Sequence, residues 1–453
     1  MGLVSELRDL LGEKSALIDD PEILVSYERD QAPFAPSEKP FAVLIARSIE
    51  EIAQVTRFAN SKKISVVVRG AGSGLAGGAN ATLGSIVIST EKLNKILEID
   101  PINLTARVEA GVINKDLDIA ASKFGLAYLP DPASREWSTI GGNIATNAGG
   151  MCCVKYGVTS HHVRSIKVVL SDGEIVEFGF STKKAVTTLD LLHLFVGSEG
   201  TLGVIVEATL SLVPRPPKPV TLIATFADIA QAAKAATEMM VLRPSMLELM
   251  DKTTLSAVES WKPMGFESCE AVLIMQSDEG SRACEIGQEV ASQLGAMDAI
   301  FSDDPKDSDD LIQVRKLAYP SLERLGVALL DDVVVPISKI QDLVIGVQEI
   351  AKEHSVTIGI FGHAGDGNMH PTIVYPHNDK MAEQRALQAF NKIIELAQYM
   401  GGTASGEHGI GALKVKSAMA ETPERILQLQ RDIKRILDPR QIFNPGKKFS
   451  IDS

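Results

Sequence analysis

A chain of 453 residues, 45% hydrophobic and 23% charged, exceeds what one hydrophobic core usually holds and reads as two domains. Its formal net charge of −13 argues against nucleic acid and against an anionic membrane surface as partners, so an anionic cofactor has to be held by backbone amides and local donors. The cysteines Cys152, Cys153, Cys269 and Cys284 make no CxxC pair, disulfide framework or iron–sulfur pattern, no apolar run is long enough to span a membrane, and the first residues lack a signal-peptide profile, so a reduced, cytoplasmic protein is expected.

The first 60 residues hold two amphipathic helical patterns around a short strand. Ile49, Ile52, Val55 and Phe58 recur at helical spacing behind Ser48, a natural N-cap. Residues 64–69 read as a strand that runs into a glycine-rich loop at 70–78, and 85–89 as the next strand. Residues 104–110 alternate like a strand, 114–123 read as a helix, and 130–150 as a loop rich in Pro, Gly, Asn and Thr. Strands return at 164–170 and 174–178 around Ser171-Asp172-Gly173, a hairpin signal, and at 204–213. The stretch 214–219, four prolines in six residues, is the clearest linker.

Beyond the linker, strand patterns at 220–226, 271–276, 332–336, 356–361 and 371–375 alternate with helical ones at 228–241, 281–295, 338–353 and 379–399. That is an α+β domain with an antiparallel sheet. For the last helix Thr422 is the expected cap and Pro423 the first helical position, with Ile426, Leu429, Ile433 and Ile436 along one face and a stop before Asp438-Pro439. The tail 441–447 is too apolar to be free.

Two regions concentrate chemistry. Gly72-Ser73-Gly74-Leu75-Ala76-Gly77 matches G-x-G-x-x-G, yet the loop leads into another strand and opens no helix, so a Rossmann dinucleotide site is not expected. Its glycines can still expose amides to phosphate oxygens. The second region is Gly362-His363-Ala364-Gly365-Asp366-Gly367-Asn368-Met369-His370 with Gly406-Glu407-His408-Gly409-Ile410-Gly411, in a chain with only 8 histidines. The strands on either side place His363 and His370 at opposite feet of one hairpin, with Asp366 and Asn368 in the turn. Glu407 and His408 are adjacent, so in extended backbone they face opposite sides and suit two different jobs. Two imidazoles and a carboxylate suffice for a divalent metal with open positions, leaving one histidine as a base.

The ordered set of these motifs, with Pro130-Asp131-Pro132, Thr139-Ile140-Gly141-Gly142-Asn143, Asn147-Ala148-Gly149-Gly150, Gly197-Ser198-Glu199-Gly200-Thr201-Leu202-Gly203 and Phe443-Asn444-Pro445-Gly446-Lys447, resembles the vanillyl-alcohol oxidase/PCMH superfamily of flavin enzymes. Within it the nearest group is that of D-lactate dehydrogenase and glycolate oxidase FAD subunits, beside D-2-hydroxyglutarate dehydrogenase. The resemblance covers nearly the whole chain. It implies a PCMH-type FAD-binding domain of two α/β subdomains (1–215), an α+β cap domain with an antiparallel sheet (216–420) and a C-terminal segment (421–453) returning to the first. FAD contacts are implied for Gly70, Ala71, Gly72, Ser73, Gly74, Leu75, Gly77, Pro130, Asp131, Thr139, Gly142, Asn143, Thr146, Ala148, Glu199, Gly200, Gly203, Ile205 and Asn444. Residues 69–78 contain no histidine, so attachment through that loop is not expected and FAD is non-covalent.

The resemblance also assigns the second region. His363, His370 and Glu407 hold a divalent metal (Zn, Mn or Fe), and His408 takes the hydroxyl proton. Arg315 binds the substrate carboxylate, with His363 and Asn368 at the substrate. A 2-hydroxy acid is thereby oxidised to the 2-oxo acid, its C2 hydride passing to the flavin. The stretch Leu329-Leu330-Asp331-Asp332-Val333 lacks the lysine that D-2-hydroxyglutarate dehydrogenases place there, which favours a monocarboxylate, D-lactate or glycolate. Electrons then leave to a separate acceptor: a quinone, a cytochrome, an electron-transfer flavoprotein, an iron–sulfur subunit or oxygen. Attachment to a membrane, if any, comes through such a partner. The rival classes are a non-heme iron oxygenase and a metal hydrolase on His363, His370 and Glu407, and a non-catalytic nucleotide-binding subunit. The two metal-only rivals leave the glycine loops unexplained.

Overall fold

The computed structural model describes residues 2–12 and 15–450. Two compact units emerge. The first comprises Met1–Gly149, Val158–Arg215 and Glu407–Ser453; the second comprises Gly150–Gly157 and Pro216–Gly406. Residues 150–157 and 407–420 thus group otherwise than boundaries at 216 and 421 would have them. Side-chain and backbone bonds give the reason. In the second unit Lys155 pairs with Asp278 and Glu279, and Tyr156 with Asp278. In the first, the Ala412 and Leu413 amides donate to Ala76 O at 2.9 and 3.1 Å.

The first unit contains a four-stranded sheet ordered Leu17–Ile18, Ala42–Ile45, Ile86–Ser89, Val66–Arg69, whose last three strands are parallel. Parallel strands covered on both faces read as unbroken apolar runs, as 42–45 does, with every residue buried. The helix Ile49–Lys62 buries Ile52, Val55 and Ala59, and Ser48 Oγ accepts from the Glu51 amide at 3.2 Å as expected of its cap. The tail adds to this sheet: the Val66 amide donates to Ile442 O at 2.7 Å, the Asn444 amide to Val66 O at 2.8 Å, and Phe443 is fully buried.

A five-stranded antiparallel sheet follows, ordered Ile96–Asp100, Thr105–Glu109, Val204–Ser211, Val163–Val169, Ile175–Gly179. The helices Asn114–Ser122 and Ile140–Thr146 supply Leu117, Ala121, Ile140 and Ile144 to the core on this sheet. The second helix lies in the span expected to be loop. Its paired glycines disguised it, but a Cβ at Gly141 would come within 2.7 Å of Ala110 Cβ, so close packing rather than a turn requires the glycine.

The last helix, Glu424–Leu437, is turned from the expected orientation. Its N-cap is Pro423, while the Thr422 hydroxyl donates back to Ala418 O at 2.6 Å. It buries Leu427, Arg431 and Lys434 and packs Ile433 partly buried against the core, but leaves Ile426, Leu429 and Ile436 exposed by 45%, 40% and 77%. Lys434 explains the inversion. Its Nζ donates to Thr201 O (2.6 Å), Phe443 O (2.9 Å) and Asp438 Oδ2 (2.5 Å), a buried charge with its donors satisfied.

The second unit is built on one antiparallel sheet ordered Ala296–Ser302, Val220–Phe226, Ala271–Ser277, Met246–Asp251, Thr357–His363, Asn368–Tyr375, Val327–Leu330. Val333–Val334 also pairs with Asn368–Tyr375, and it is all that remains of the strand expected at 332–336. Helices at Ile229–Met239, Ser281–Gln293, Ile340–His354 and Lys380–Tyr399 match the expected positions. Three strands and the helices Lys252–Trp261 and Pro305–Glu323 were not expected. Met246–Asp251 escaped because all six residues are buried, Glu248 and Asp251 among them, which leaves no alternation to read.

Candidate active site

In the first unit, strand Val66–Arg69 delivers the chain into the loop carrying Gly70, Ala71, Gly72, Ser73, Gly74, Leu75 and Gly77. A Cβ on Gly70 would stand 2.3 Å from Thr139 Oγ1, so this loop lies against the start of helix Ile140–Thr146. Gly72 and Gly77 have φ of +74° and +79°, a region that side chains other than glycine rarely adopt. Thr139 Oγ1 accepts from the Gly142 amide at 3.2 Å, and Thr146 Oγ1 donates back to Gly142 O at 3.1 Å. Asn114 Nδ2 ties Pro130 O to Asn143 Oδ1, each at 3.1 Å. Ala148 O accepts from Thr159 Oγ1 at 2.7 Å, and Asp131 and Ile205 are buried.

The third loop closes on these two. Glu199 (φ +52°) donates its amide to Ala145 O at 2.7 Å, and its carbonyl accepts from Asn444 Nδ2 at 2.6 Å. Asn444 Oδ1 in turn accepts from the Val68 amide at 3.1 Å. At Gly200 and Gly203 a Cβ would stand 2.9 Å from Asn444 Nδ2 and 2.6 Å from Val168 Cγ1. Two cations underlie the first loop in an otherwise acidic chain. Arg69 is buried with Nη1 on Arg29 O at 3.0 Å, and Lys447 donates to Gly78 O and Asn80 O at 2.9 and 2.5 Å. Burial pulls the Lys447 pKa down to about 7, opposed by Asp30 and Glu199.

This cradle fits a dinucleotide. It offers glycine backbone at close approach, cations beneath it, and the Ser138 hydroxyl, buried with no hydrogen-bond partner among the described residues. Ser138 was not singled out from sequence; its position just before the cap residue Thr139 was the available signal.

In the second unit the hairpin of Thr357–His363 and Asn368–Tyr375 pairs Phe361 with His370 and His363 with Asn368. Asn368 therefore opens the strand rather than sitting in the turn. His363 and His370 are diagonal neighbours on one face, with ring centroids 5.0 Å apart and rings nearly perpendicular. Both are buried.

Glu248, from the central strand Met246–Asp251, was missed from sequence and organises this face. Its Oε1 accepts from His363 Nδ1 at 2.6 Å and its Oε2 from Arg315 Nε. Burial pushes its carboxyl up, but the neighbouring His363 and Arg315 outweigh burial and hold it below the ordinary glutamate value. With Nδ1 so engaged, Nε2 is the nitrogen through which His363 can ligate. Arg315 also stacks on Phe361, 4.8 Å from the ring centroid, and its two Nη atoms hydrogen-bond to nothing among the described residues. A planar, half-satisfied guanidinium of this kind suits a carboxylate.

Asn368 Nδ2 is committed to Asp332 Oδ1 (2.7 Å) and Val333 O (3.1 Å). Asp332, fully buried, also accepts from Ser405 Oγ at 2.7 Å and the Gly406 amide at 2.9 Å, and lies 3.7 Å from His370 Nδ1. Glu407 and His408 open the last segment of the first unit. Instead of facing opposite sides, Glu407 Oε1 and His408 Nε2 approach to 3.7 Å, with Gly409 beside them in the left-handed region at φ +86°.

Comparison with known proteins decides the class. Residues 40–179 match the FAD binding domain model, and residues 215–448 match the model of the C-terminal domain of FAD linked oxidases. The chain belongs to the FAD-linked oxidases. This FAD-linked oxidase is 37% identical to the glycolate oxidase subunit GlcD of Bacillus subtilis, over 94% of this chain and 92% of the relative. It is 38% identical to D-lactate dehydrogenase of Archaeoglobus fulgidus, over 93% and 95%. A D-2-hydroxyglutarate dehydrogenase of Xanthomonas citri is 33% identical over 95% and 93%. In fold it is similar to p-cresol methylhydroxylase with substrate bound, with a TM-score of 0.81, 18% identity, and coverage of 100% of this chain and 97% of that one. The PCMH-type FAD-binding domain followed by an α+β domain is therefore established, as is an oxidoreductase activity. The metal-only oxygenase and hydrolase readings fall away. Among the described residues no helix is long and apolar enough to cross a membrane.

Proposed function

We propose that this FAD-linked oxidase oxidises the hydroxyl of a small D-2-hydroxy acid, D-lactate or glycolate, to the 2-oxo acid. The observation that carries this reading is Glu248, whose one buried carboxylate joins Arg315 to His363. It sets a carboxylate-binding cation beside a pair of imidazoles, the two recognition elements that a 2-hydroxy acid needs. Non-covalent FAD, cradled by the loops of residues 70–78, 130–149 and 197–205 with Asn444, supplies the two-electron acceptor.

Arg315 binds the substrate carboxylate through its Nη atoms and fixes its orientation. His363 and His370, with Glu407, are the proposed ligands of a divalent ion, which when bound supplies Lewis acidity to the hydroxyl. Glu407 follows directly on Gly406, whose amide is anchored on Asp332 at 2.9 Å. His408 holds the hydroxyl proton after its removal, as a neutral base before the reaction.

A monocarboxylate is favoured because residues 329–333, where D-2-hydroxyglutarate dehydrogenases carry a lysine, hold no cation and two fully buried acids, Asp331 and Asp332. The similarity to D-2-hydroxyglutarate dehydrogenase supports the second reading, a dicarboxylate substrate. Steady-state kcat/KM with D-lactate, glycolate, L-lactate and D-2-hydroxyglutarate separates the two. A preference for D-2-hydroxyglutarate over both monocarboxylates would replace the first reading by the second. The reduced cofactor passes its electrons to a separate acceptor, a quinone, a cytochrome, an electron-transfer flavoprotein or an iron–sulfur subunit. The chain is cytoplasmic or reaches the membrane through that partner.

A further inference from the structure

Glu199 occupies an unusual node of the first unit. It is 6% exposed, its φ is +52°, and its carboxylate is engaged at both oxygens. Oε1 accepts from the Ile410 amide at 2.9 Å and Oε2 from the Gly411 amide at 2.6 Å, with Lys448 Nζ 3.2 Å from Oε1. Through its own backbone the residue is bonded to Ala145 and Asn444, within the cofactor cradle.

The segment it grips starts two residues after His408. Gly409 and Gly411 have φ of +86° and +51°. A Cβ on Gly409 would lie 3.2 Å from the Glu199 carboxylate, and one on Gly411 2.0 Å from Ala76 O. Two glycines in the left-handed region make a backbone that many conformations could replace. What selects this one is a buried anion on two consecutive amides, a directional, charge-assisted pair of bonds.

We propose that Glu199 is a positioning residue for proton transfer: its carboxylate fixes the backbone that carries His408 onto the loops of the FAD-binding domain. The proposal rests on the reading of His408 as the base. It gives a specific job to the acidic residue of Gly197-Ser198-Glu199-Gly200, whose two oxygens each accept from a backbone amide.

The test uses the full-length protein in wild-type form and as Glu199→Ala, Glu199→Gln, His408→Ala and the double variant Glu199→Gln/His408→Ala. Hydrogen exchange on FAD-loaded protein reads the tether without reference to activity. The Ile410 and Gly411 amides are expected to exchange at least about 10-fold faster in Glu199→Ala, with the remainder of the chain unchanged. If that variant does not fold, Glu199→Gln, which keeps the shape and loses one acceptor, is read in the same way. Exchange at 410 and 411 that stays at the wild-type rate overturns the proposal.

Anaerobic reduction of the FAD-loaded variants by D-lactate reads the consequence. Glu199→Gln is expected to slow reduction by about 10- to 100-fold with little change in substrate affinity, the loss typical of a base displaced by an ångström. The double variant is expected to reduce no more slowly than His408→Ala. If instead the two losses multiply, Glu199 acts independently of His408 and its proposed role is removed, while the base reading stands. If His408→Ala reduces at the wild-type rate, the base reading fails and the positioning role fails with it.

Discussion

Glu248 Oε1 lies 2.6 Å from His363 Nδ1, and the other oxygen of the same buried carboxylate takes Arg315 Nε. One side chain therefore sets the orientation of a proposed metal ligand and of the proposed carboxylate receptor. Glu248→Gln keeps the volume but cannot hold both as an anion does. Divalent-metal affinity, measured by competition with a chelating dye, is expected to weaken about 10- to 100-fold, the usual cost of losing a carboxylate behind a ligating histidine. Substrate KM should rise in the same variant. Unchanged metal affinity would contradict the ligand role of His363.

Arg315→Lys keeps the charge and loses the planar fork. With Nε on Glu248 and the plane stacked on Phe361, the native guanidinium can meet a carboxylate bidentately, which an ammonium cannot. We expect kcat/KM for D-lactate to fall by about 2 kcal/mol in transition-state terms, with most of the effect in KM. A kcat/KM within twofold of wild type would leave Arg315 a structural partner of Glu248 only.

His408→Ala should lower the rate of flavin reduction by about 10²- to 10⁴-fold while substrate binding changes little. Stopped-flow reduction and equilibrium titration with the product 2-oxo acid check the two halves separately.

The first unit carries a pH dependence of its own. His162 is 6% exposed beside Tyr128, ring centroids 5.9 Å apart, and burial holds its pKa down to about 4 from 6.5. Between those values the unfolded chain binds the proton and the folded one does not. The associated stability is therefore full above the unfolded value and is lost as pH falls through 6.5 toward 4, by about 3 kcal/mol at the lower end. Urea unfolding of wild type and His162→Gln at pH 7 and 4.5 checks this, with a smaller acid loss expected in the variant.

Much of this organisation was legible in the sequence because its signals are local. The Ser48 cap, the Pro-rich linker and the apolar tail at 441–447 each stand where the residues indicate. The glycine loop was rightly separated from a Rossmann unit by the strand that follows it. The parts that escaped depend on tertiary context. Glu248 lies in a strand buried on both faces, where an acid looks like a break in the pattern until Arg315 and His363 arrive from 67 and 115 residues away. Helix Ile140–Thr146 was hidden by glycines that serve packing. The last helix carries an apolar stripe, but its orientation is set by Lys434 and three buried acceptors, which no periodicity reveals.

The most direct test of the proposed activity is the visible absorption spectrum of FAD-loaded, metal-replete protein before and after anaerobic addition of D-lactate. The expected result is loss of the oxidised flavin bands within the mixing time or shortly after, with one equivalent of 2-oxo acid per flavin. Flavin bands that persist with D-lactate and with glycolate would contradict a small 2-hydroxy acid as the substrate.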